Sequence, residues 1–487
     1  MEALQRLHNR GSISTGYDID NSCKFESDNS EYLSKTPSSA GNRRTWTFSA
    51  WVKRSEITAT SNSTGNQNMV FSAGDTYLQF DGNAIWINHR AASENFFLAT
   101  TRLFRDSSAW YHIVWQLDTT DSTAADRAKL YINGVRETSF QNNTYDNMSQ
   151  NYDAAVNNTV EHEIGKYSLH DTTYAGMFNG YMAEIHLVDG TALTPTSFGE
   201  FDTDSGIWKP KAYAGSHGTN GFYLDFEDGS NMGNDASGGT DFAETNITAA
   251  DQATDTPTNN FATGNPLAFF SNPTTATFNP ITEGATQFKK GAGGWETMTS
   301  SIAVTRGKWY CELQNISAPE SVMMSILPVD AELIFRGGRI AYHPGASSGD
   351  GGVAQYGYNG TLYVEAVGTT YSPSPTWANG TDVMGIALDM DNGKVYFAKA
   401  NTWMNNGDPT TGSTGTGAVD IPDYTTKPYV FGYSLYATNS NGRMNFGGYT
   451  SGSISSAESD ADGYGNFEYA PPSGYYALCT KNLEEYG

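Results

Sequence analysis

Residues 110–117 alternate without a break. Tyr111, Ile113, Trp115 and Leu117 fall on one side, and Trp110, His112, Val114 and Gln116 on the other. A period of two in aromatic and β-branched residues predicts a strand. Residues 129–135 follow, with Asn133-Gly134 between apolar-containing runs, and Asn-Gly supplies the positive φ angles of a type I′ hairpin turn. The same grammar recurs along the chain. Residues 45–52 put Trp46, Phe48, Ala50 and Val52 opposite Thr47, Ser49 and Trp51, and 77–80 and 84–87 flank Asp81-Gly82. Short strands are predicted at 161–165, 181–188 and 222–226, then at 308–313, 428–435 and 475–479. A further hairpin joins 382–390 to 394–399 across Asn392-Gly393. Strands at this density, separated by turn residues, predict sandwiches of antiparallel sheets.

Two stretches depart from the pattern. Residues 1–10 space Leu4 and Leu7 helically, and so short a helix needs a surface to pack on; residues 1–20 are read as an N-terminal docking peptide, helical or extended. Residues 229–260 are Gly, Asp, Ser, Thr and Asn with almost no large apolar side chain, which predicts a polar linker. The expected organisation is a docking peptide at 1–20, a β-sandwich at 21–228, the linker at 229–260 and a second β-sandwich at 261–487. A chain of 487 residues suits two or three domains at roughly 100 to 200 residues each.

Composition narrows the partners. Asp and Glu number 53 against 28 Lys and Arg, a formal charge of −25. Such a chain is repelled by nucleic acid and anionic lipid unless a basic patch intervenes, and the sequence shows none. No apolar run approaches the roughly 18 residues of a membrane span, and residues 1–11 lack the apolar stretch of a secretion signal. Cys23, Cys311 and Cys479 are odd in number and far apart, which is neither a disulfide framework nor a metal spacing. Synthesis and folding in a reducing cytoplasm are expected.

Segments of the first domain resemble the laminin-G/concanavalin-A-like lectin family. They are Trp46-Thr47-Phe48-Ser49-Ala50-Trp51-Val52-Lys53, Trp110-Tyr111-His112-Ile113-Val114, Leu130-Tyr131-Ile132-Asn133-Gly134 and Phe178-Asn179-Gly180-Tyr181-Met182-Ala183-Glu184-Ile185. The resemblance implies a two-sheet jelly roll with ligands at its loop edges. Gly307-Lys308-Trp309-Tyr310-Cys311-Glu312, Tyr356-Gly357-Tyr358-Asn359-Gly360 and Asp382-Val383-Met384-Gly385-Ile386-Ala387-Leu388-Asp389 resemble SPRY domains, also concanavalin-like sandwiches and usually protein-binding modules. The fold expected is therefore all-β, two concanavalin-like antiparallel sandwiches in tandem. With Trp208-Lys209-Pro210-Lys211 and the joint around Asp255-Thr256-Pro257-Thr258-Asn259-Asn260, the combination is similar to virion proteins of tailed phages of marine bacteria, cyanobacteria especially. That implies a virion-surface protein, a fibre or appendage that recognises host-surface glycan or protein and docks on other virion proteins through its N-terminal peptide. Capsid decoration and polysaccharide depolymerisation are the alternatives. Phage appendages are commonly homotrimers, so a homo-oligomer is expected.

Catalytic groups are scarce. Glycosidases need two carboxylates about 5 to 5.5 Å apart when retaining or about 6.5 to 9.5 Å when inverting. Glycosidase relatives of the resembling fold carry a Glu-x-Asp-x-x-Glu strand, and Glu200-Phe201-Asp202-Thr203-Asp204 lacks its final Glu. Glu161 and Glu163 share a strand face with His162 between them, which reads as a solvated face. Asp389-Met390-Asp391-Asn392-Gly393 brushes a calcium-loop pattern with its Gly one position early. No cofactor is expected; structural calcium is left open, with no assignable ligands. The histidines fall singly along the sequence, which argues against zinc. What remains is aromatic surface, since sugars stack on flat rings with polar tips. Trp51 shares its strand face with Thr47 and Ser49, and Tyr356, Tyr358 and Trp403 lie in Gly/Asn-rich loops. These four are the candidates for ligand contact.

Overall fold

The computed structural model describes residues 16–57, 67–90, 95–144, 147–168, 176–268, 281–290, 295–317, 322–331, 345, 349–365, 367–371, 377, 380 and 382–487. The chain divides into two compact units, the first ending at Asn259 and the second beginning at Asn260. The helical reading of residues 1–10 lies outside the described residues.

In the first unit one sheet runs, in spatial order, Val135–Arg136, Ala128–Ile132, Trp110–Asp118, Thr45–Arg54, Gly180–Asp189, Ser22–Phe25 and Gln252–Ala253, and Phe222–Leu224 also pairs with Gly180–Asp189. The facing sheet runs Phe140–Asn143, Asn95–Thr100, Ala84–Arg90, Thr76–Asp81, Gln67–Ala73, His162–Ile164, Tyr32–Lys35 and Ala243–Thr245. All these pairings are antiparallel, as the alternation requires. Ile113, Trp115 and Leu117 are buried between the sheets, where Trp46 meets Trp115 edge-on at 4.8 Å and Phe48 stacks on Phe71 of the other sheet at 4.5 Å. Asn133 and Gly134 take φ of 48° and 78°, closing the two-residue turn between paired Ile132 and Val135. A Cβ at Gly134 would meet the Trp208 ring at 2.3 Å, so glycine answers both the turn and the close approach.

Residues 229–260 are not a linker. Ala243–Thr245 and Gln252–Ala253 are edge strands of the two sheets, and Phe242 and Ile247 enter the core. Acidic residues of this stretch answer buried lysines. Asp235 pairs with Lys35, Asp251 with Lys24 and Asp255 with Lys53. A segment whose carboxylates are spent on ion pairs carries few apolar residues and reads as solvent-facing. The peptide boundary at residue 20 moves for a related reason. Ile19 is buried, its N–H donating to Thr258 Oγ1 at 3.0 Å, and the Tyr17 hydroxyl donates to Glu184.

The second unit packs a sheet ordered Ile281–Thr282, Gln287–Lys289, Asn441–Asn445, Lys308–Ser317, Val383–Asp389, Lys394–Lys399 and Thr402–Trp403. Facing it is a sheet ordered Glu296–Thr299, Tyr429–Leu435, Val322–Pro328, Val353–Tyr356, Thr361–Val364 and Val367–Thr370. Pairing is antiparallel except where Tyr476–Ala477 joins Lys308–Ser317 in parallel. Trp309, Cys311 and Leu313 point inward with Ile386, Leu388 and Phe397. Cys23, Cys311 and Cys479 are free and buried. The all-β expectation holds in both units, and Thr480–Tyr486 is the one α-helix among the described residues.

Candidate ligand-binding surface

Both sheets of the second unit bury their inner faces, and the outer faces are covered over much of their extent, with Met323, Ser325 and Ser434 at most 1% exposed. At one end of the outer face of the second sheet, strand register brings four aromatic residues together. Thr297 opposes Ser434, Ser434 opposes Met323, and Met323 opposes Tyr356. Directly paired residues share a face and residues two apart keep it, so Trp295, Tyr436 and Tyr358 join Tyr356 on the face turned away from core residues Met298, Leu435 and Val322. The rings form a chain: Tyr436 to Trp295 at 5.3 Å, Trp295 to Tyr356 at 5.7 Å and Tyr356 to Tyr358 at 5.9 Å. Tyr436 is 47% exposed and Tyr358 52% exposed, while Trp295 and Tyr356 are half-buried. A buried hydrogen bond between Thr297 Oγ1 and Ser434 Oγ, 2.8 Å, ties the two strands that carry Trp295 and Tyr436. Flat rings held at strand ends, with tyrosine hydroxyls and an indole N–H at their edges, can stack on apolar faces and hydrogen-bond at their edges.

The structure therefore joins Tyr356 and Tyr358 to two residues that the loop-based reading passed over. It does not bring the other two candidates there. Trp51 is 5% exposed and stacks on His112 at 4.8 Å. Its sheet face is polar in sequence, but residues 193–217 cover it. Trp208 donates from Nε1 to His112 Nδ1 at 3.1 Å, and Phe198 packs on Val114 and Val188. Trp51 is thus an interior residue, a correction to its assignment as a ligand contact. Trp403 lies on the opposite sheet of the second unit, half-buried and edge-on to Tyr396 at 6.4 Å.

Carboxylates considered for catalysis have structural employment. Glu163 is buried, accepting from Ser72 Oγ at 3.2 Å and from the N–H and hydroxyl of Ser168, whereas Glu161 is exposed. Asp202 caps its own turn, accepting from the N–H groups of Asp204 and Ser205. Asp389 accepts from the N–H groups of Asp391 and Asn392 and faces Lys308 at 3.1 Å, so the calcium-like stretch is a hydrogen-bonded hairpin turn. Glu312, in the second unit, accepts from the N–H groups of Glu468 and Tyr469, both at 2.8 Å.

A second polar assembly lies on the outer face of the first unit, where the register slips between Ala183 and His186. Glu184 sits in that bulge at a φ of 51°. Its carboxylate accepts from the Tyr17 and Tyr223 hydroxyls, each at 2.6 Å, and lies 3.5 Å from His186 Nε2. Burial alone would push the Glu184 carboxyl up, but His186 and the two hydroxyls outweigh it and hold the carboxyl below its ordinary value. Histidines that stand singly in sequence meet here, since His186 Nδ1 is 3.1 Å from His217 Nε2.

Residues 27–197 match the model of the concanavalin A-like lectin/glucanases superfamily. Three solved structures are similar at a TM-score of 0.28 each. The SPRY domain of human HERC1 is 14% identical, covering 37% of this chain and 96% of that one. The PSpry domain of TRIM65 is 10% identical, covering 38% and 88%. A putative carbohydrate binding protein from Bacteroides ovatus is 14% identical, covering 47% and 59%. No curated protein matches the chain.

Proposed function

We propose that this chain is a non-catalytic binding protein of a tailed-phage virion surface, presenting its β-sandwiches to host-surface glycan or protein. The observation that carries the binding role is the run of rings Tyr436, Trp295, Tyr356 and Tyr358 at one end of a sheet, the outer two about half exposed. The lectin-type match over residues 27–197 supports the same role for the first unit. The virion assignment rests on the resemblance of the two linked domains to tailed-phage virion proteins, and the net charge of −25 suits a soluble protein displayed in many copies. Display multiplies weak sites into useful avidity. Docking on the particle falls to the N-terminal peptide, and the displayed form is a homo-oligomer.

The test is retention of the purified chain by host cells and on a glycan array, with Tyr358→Ala/Tyr436→Ala alongside. Retention by the wild type and its loss in the variant are expected. Absence of retention, together with antibody labelling of virions confined to the capsid, would replace this reading with a structural decoration role.

A further inference from the structure

A cleft of about 560 Å³ opens in the first unit between three stretches of backbone: residues 35–38, 215–221 and 237–240. That volume lies within the range of small-ligand sites. The chemistry of its wall is narrow. Among the described residues Lys35 is the charged residue of the lining, and Asp235, behind the wall, neutralises it, Nζ to Oδ2 3.1 Å. Asp235 is fully committed, for Oδ1 accepts from the Tyr223 N–H, the Ser237 N–H and the Ser237 hydroxyl. The Lys35 ammonium also rests over the Phe222 and Phe242 rings, at 5.9 and 5.3 Å. The rest of the wall is Ser and Thr hydroxyl, glycine backbone, Asn220, Pro37 and the imidazole of His217. Among the described residues no aromatic ring other than that imidazole lines it, so an occupant is held by its edges through hydrogen bonds.

His217 is held in place through His186. Glu184 lies 3.5 Å from His186 Nε2, and on the other side of that ring Nδ1 shares a hydrogen bond with His217 Nε2 at 3.1 Å. His217 Nδ1 has no hydrogen-bond partner among the described residues. Burial, and then the neighbouring His186, lower the His217 pKa to about 4, so the ring is neutral at ordinary pH. The loops behind it are tight. A Cβ at Gly221 would meet the His217 carbonyl oxygen at 1.9 Å, and one at Gly239 the Asp235 carboxylate at 2.3 Å. The cleft is therefore a concavity rich in hydrogen-bond donors and acceptors, its lining lysine matched by Asp235 behind the wall.

We infer that this cleft binds a neutral saccharide unit, with His217 Nδ1 hydrogen-bonded to a sugar hydroxyl and the Ser, Thr and backbone groups of the three loops satisfying the others. The inference rests on the reading of this chain as a surface-recognition protein, but it assigns a second site, in the other unit and without ring stacking. An anionic ligand fits poorly because the one lysine is already matched to Asp235. An apolar ligand would strand the hydroxyls.

The experiment is saturation-transfer and histidine-ring NMR on the full chain with methyl glycosides of glucose, galactose, mannose and N-acetylglucosamine, and with inorganic phosphate as the charged comparison. His217→Gln assigns the His217 resonance by its disappearance. Thr240→Trp fills the cleft from an exposed position, and its melting temperature reports whether the fold is retained. Expected are transfer to at least one glycoside, a shift of the His217 resonance by that glycoside, and an affinity loss of about tenfold or more in Thr240→Trp. The inference is overturned if no glycoside gives transfer at tens of millimolar. It is equally overturned if transfer survives unchanged in a folded Thr240→Trp, or if phosphate and not sugar shifts His217. Because Tyr358 and Tyr436 lie in the other unit, loss of cell retention in their variant with glycoside binding intact separates the two readings.

Discussion

Lys53 and Asp255 form an ion pair 202 residues apart in sequence, Nζ to Oδ2 2.6 Å, with both side chains about 1% exposed. The other carboxylate oxygen accepts from Trp110 Nε1 at 3.1 Å. The pair therefore clamps the end of residues 229–259 against two central strands. Removing one partner leaves a buried charge uncompensated, at a cost of about 3–5 kcal/mol. Asp255→Ala is expected to lower the first unit's unfolding free energy by that amount. Lys53→Met/Asp255→Leu should recover most of it, because apolar replacement removes the desolvation cost together with the attraction. Denaturant titration checks both, and equal losses in the single and double variants would show that the clamp is not electrostatic.

The aromatic surface of the second unit predicts a separation of binding from stability. Each exposed ring is worth about 1 kcal/mol in a stacked contact, about fivefold in affinity. Tyr436→Ala and Tyr358→Ala are each expected to weaken host-cell retention by about that factor. Being exposed, they should shift stability by no more than about 0.5 kcal/mol. Cell-binding isotherms and melting curves on the same preparations decide it.

Two buried histidines set an acid limit on the first unit. His112 Nδ1 accepts from Trp208 Nε1 while Nε2 faces Ser49 Oγ at 2.9 Å, and His162 Nε2 accepts from the Asn157 N–H at 3.0 Å. Neither ring can take a second proton without losing an acceptor. Burial, chiefly, puts His112 at about 3 and His162 at about 4. The unfolded chain protonates near the ordinary histidine value of about 6.5. Folded-state pKa values are lower, so this stability is fully present above about pH 6.5 and is lost as pH falls from there toward 4. At pH 5 each histidine accounts for a loss of about 2 kcal/mol relative to pH 7. Melting temperatures at the two pH values should show the fall, and His162→Gln should remove its own share, about 2 kcal/mol. A pH-independent melt would contradict it.

Fragments report on the unit's true extent. A chain stopped at residue 228 lacks the strands Ala243–Thr245 and Gln252–Ala253 and leaves Lys24, Lys35 and Lys53 without Asp251, Asp235 and Asp255. It is expected to aggregate or melt without cooperativity, whereas a chain stopped at residue 259 should unfold in one sharp transition. Circular dichroism melts of the two compare directly.

Local pattern carried most of the fold. Alternation at 110–117 and the Asn133-Gly134 turn are short-range facts, and the strands Trp110–Asp118 and Ala128–Ile132 follow from them. Trp51 was misread because its strand face is polar and its cover comes from residues 193–217, which no local pattern announces. Trp295 and Tyr436 were missed for the converse reason. Each sits one residue outside a strand end, and the pairing of Glu296 with Leu435 that sets them side by side spans more than a hundred residues. His186 and His217 likewise meet only through the fold. One usable signal did exist. Trp295 keeps parity with Thr297 and Thr299, the polar side of its strand.

The strand Ser22–Phe25 lies between Gly180–Asp189 and Gln252–Ala253, and the second of these neighbours emerges from the ribosome some 230 residues after it. At about 5–20 residues per second, translation takes on the order of 10–50 s to supply that neighbour. Through most of that interval the nascent first unit carries an open sheet edge and Lys35 and Lys53 await Asp235 and Asp255, while Lys24 already has Glu31. The vulnerable period for this protein is therefore its own synthesis, and chaperone demand should track translation speed between codons 22 and 255.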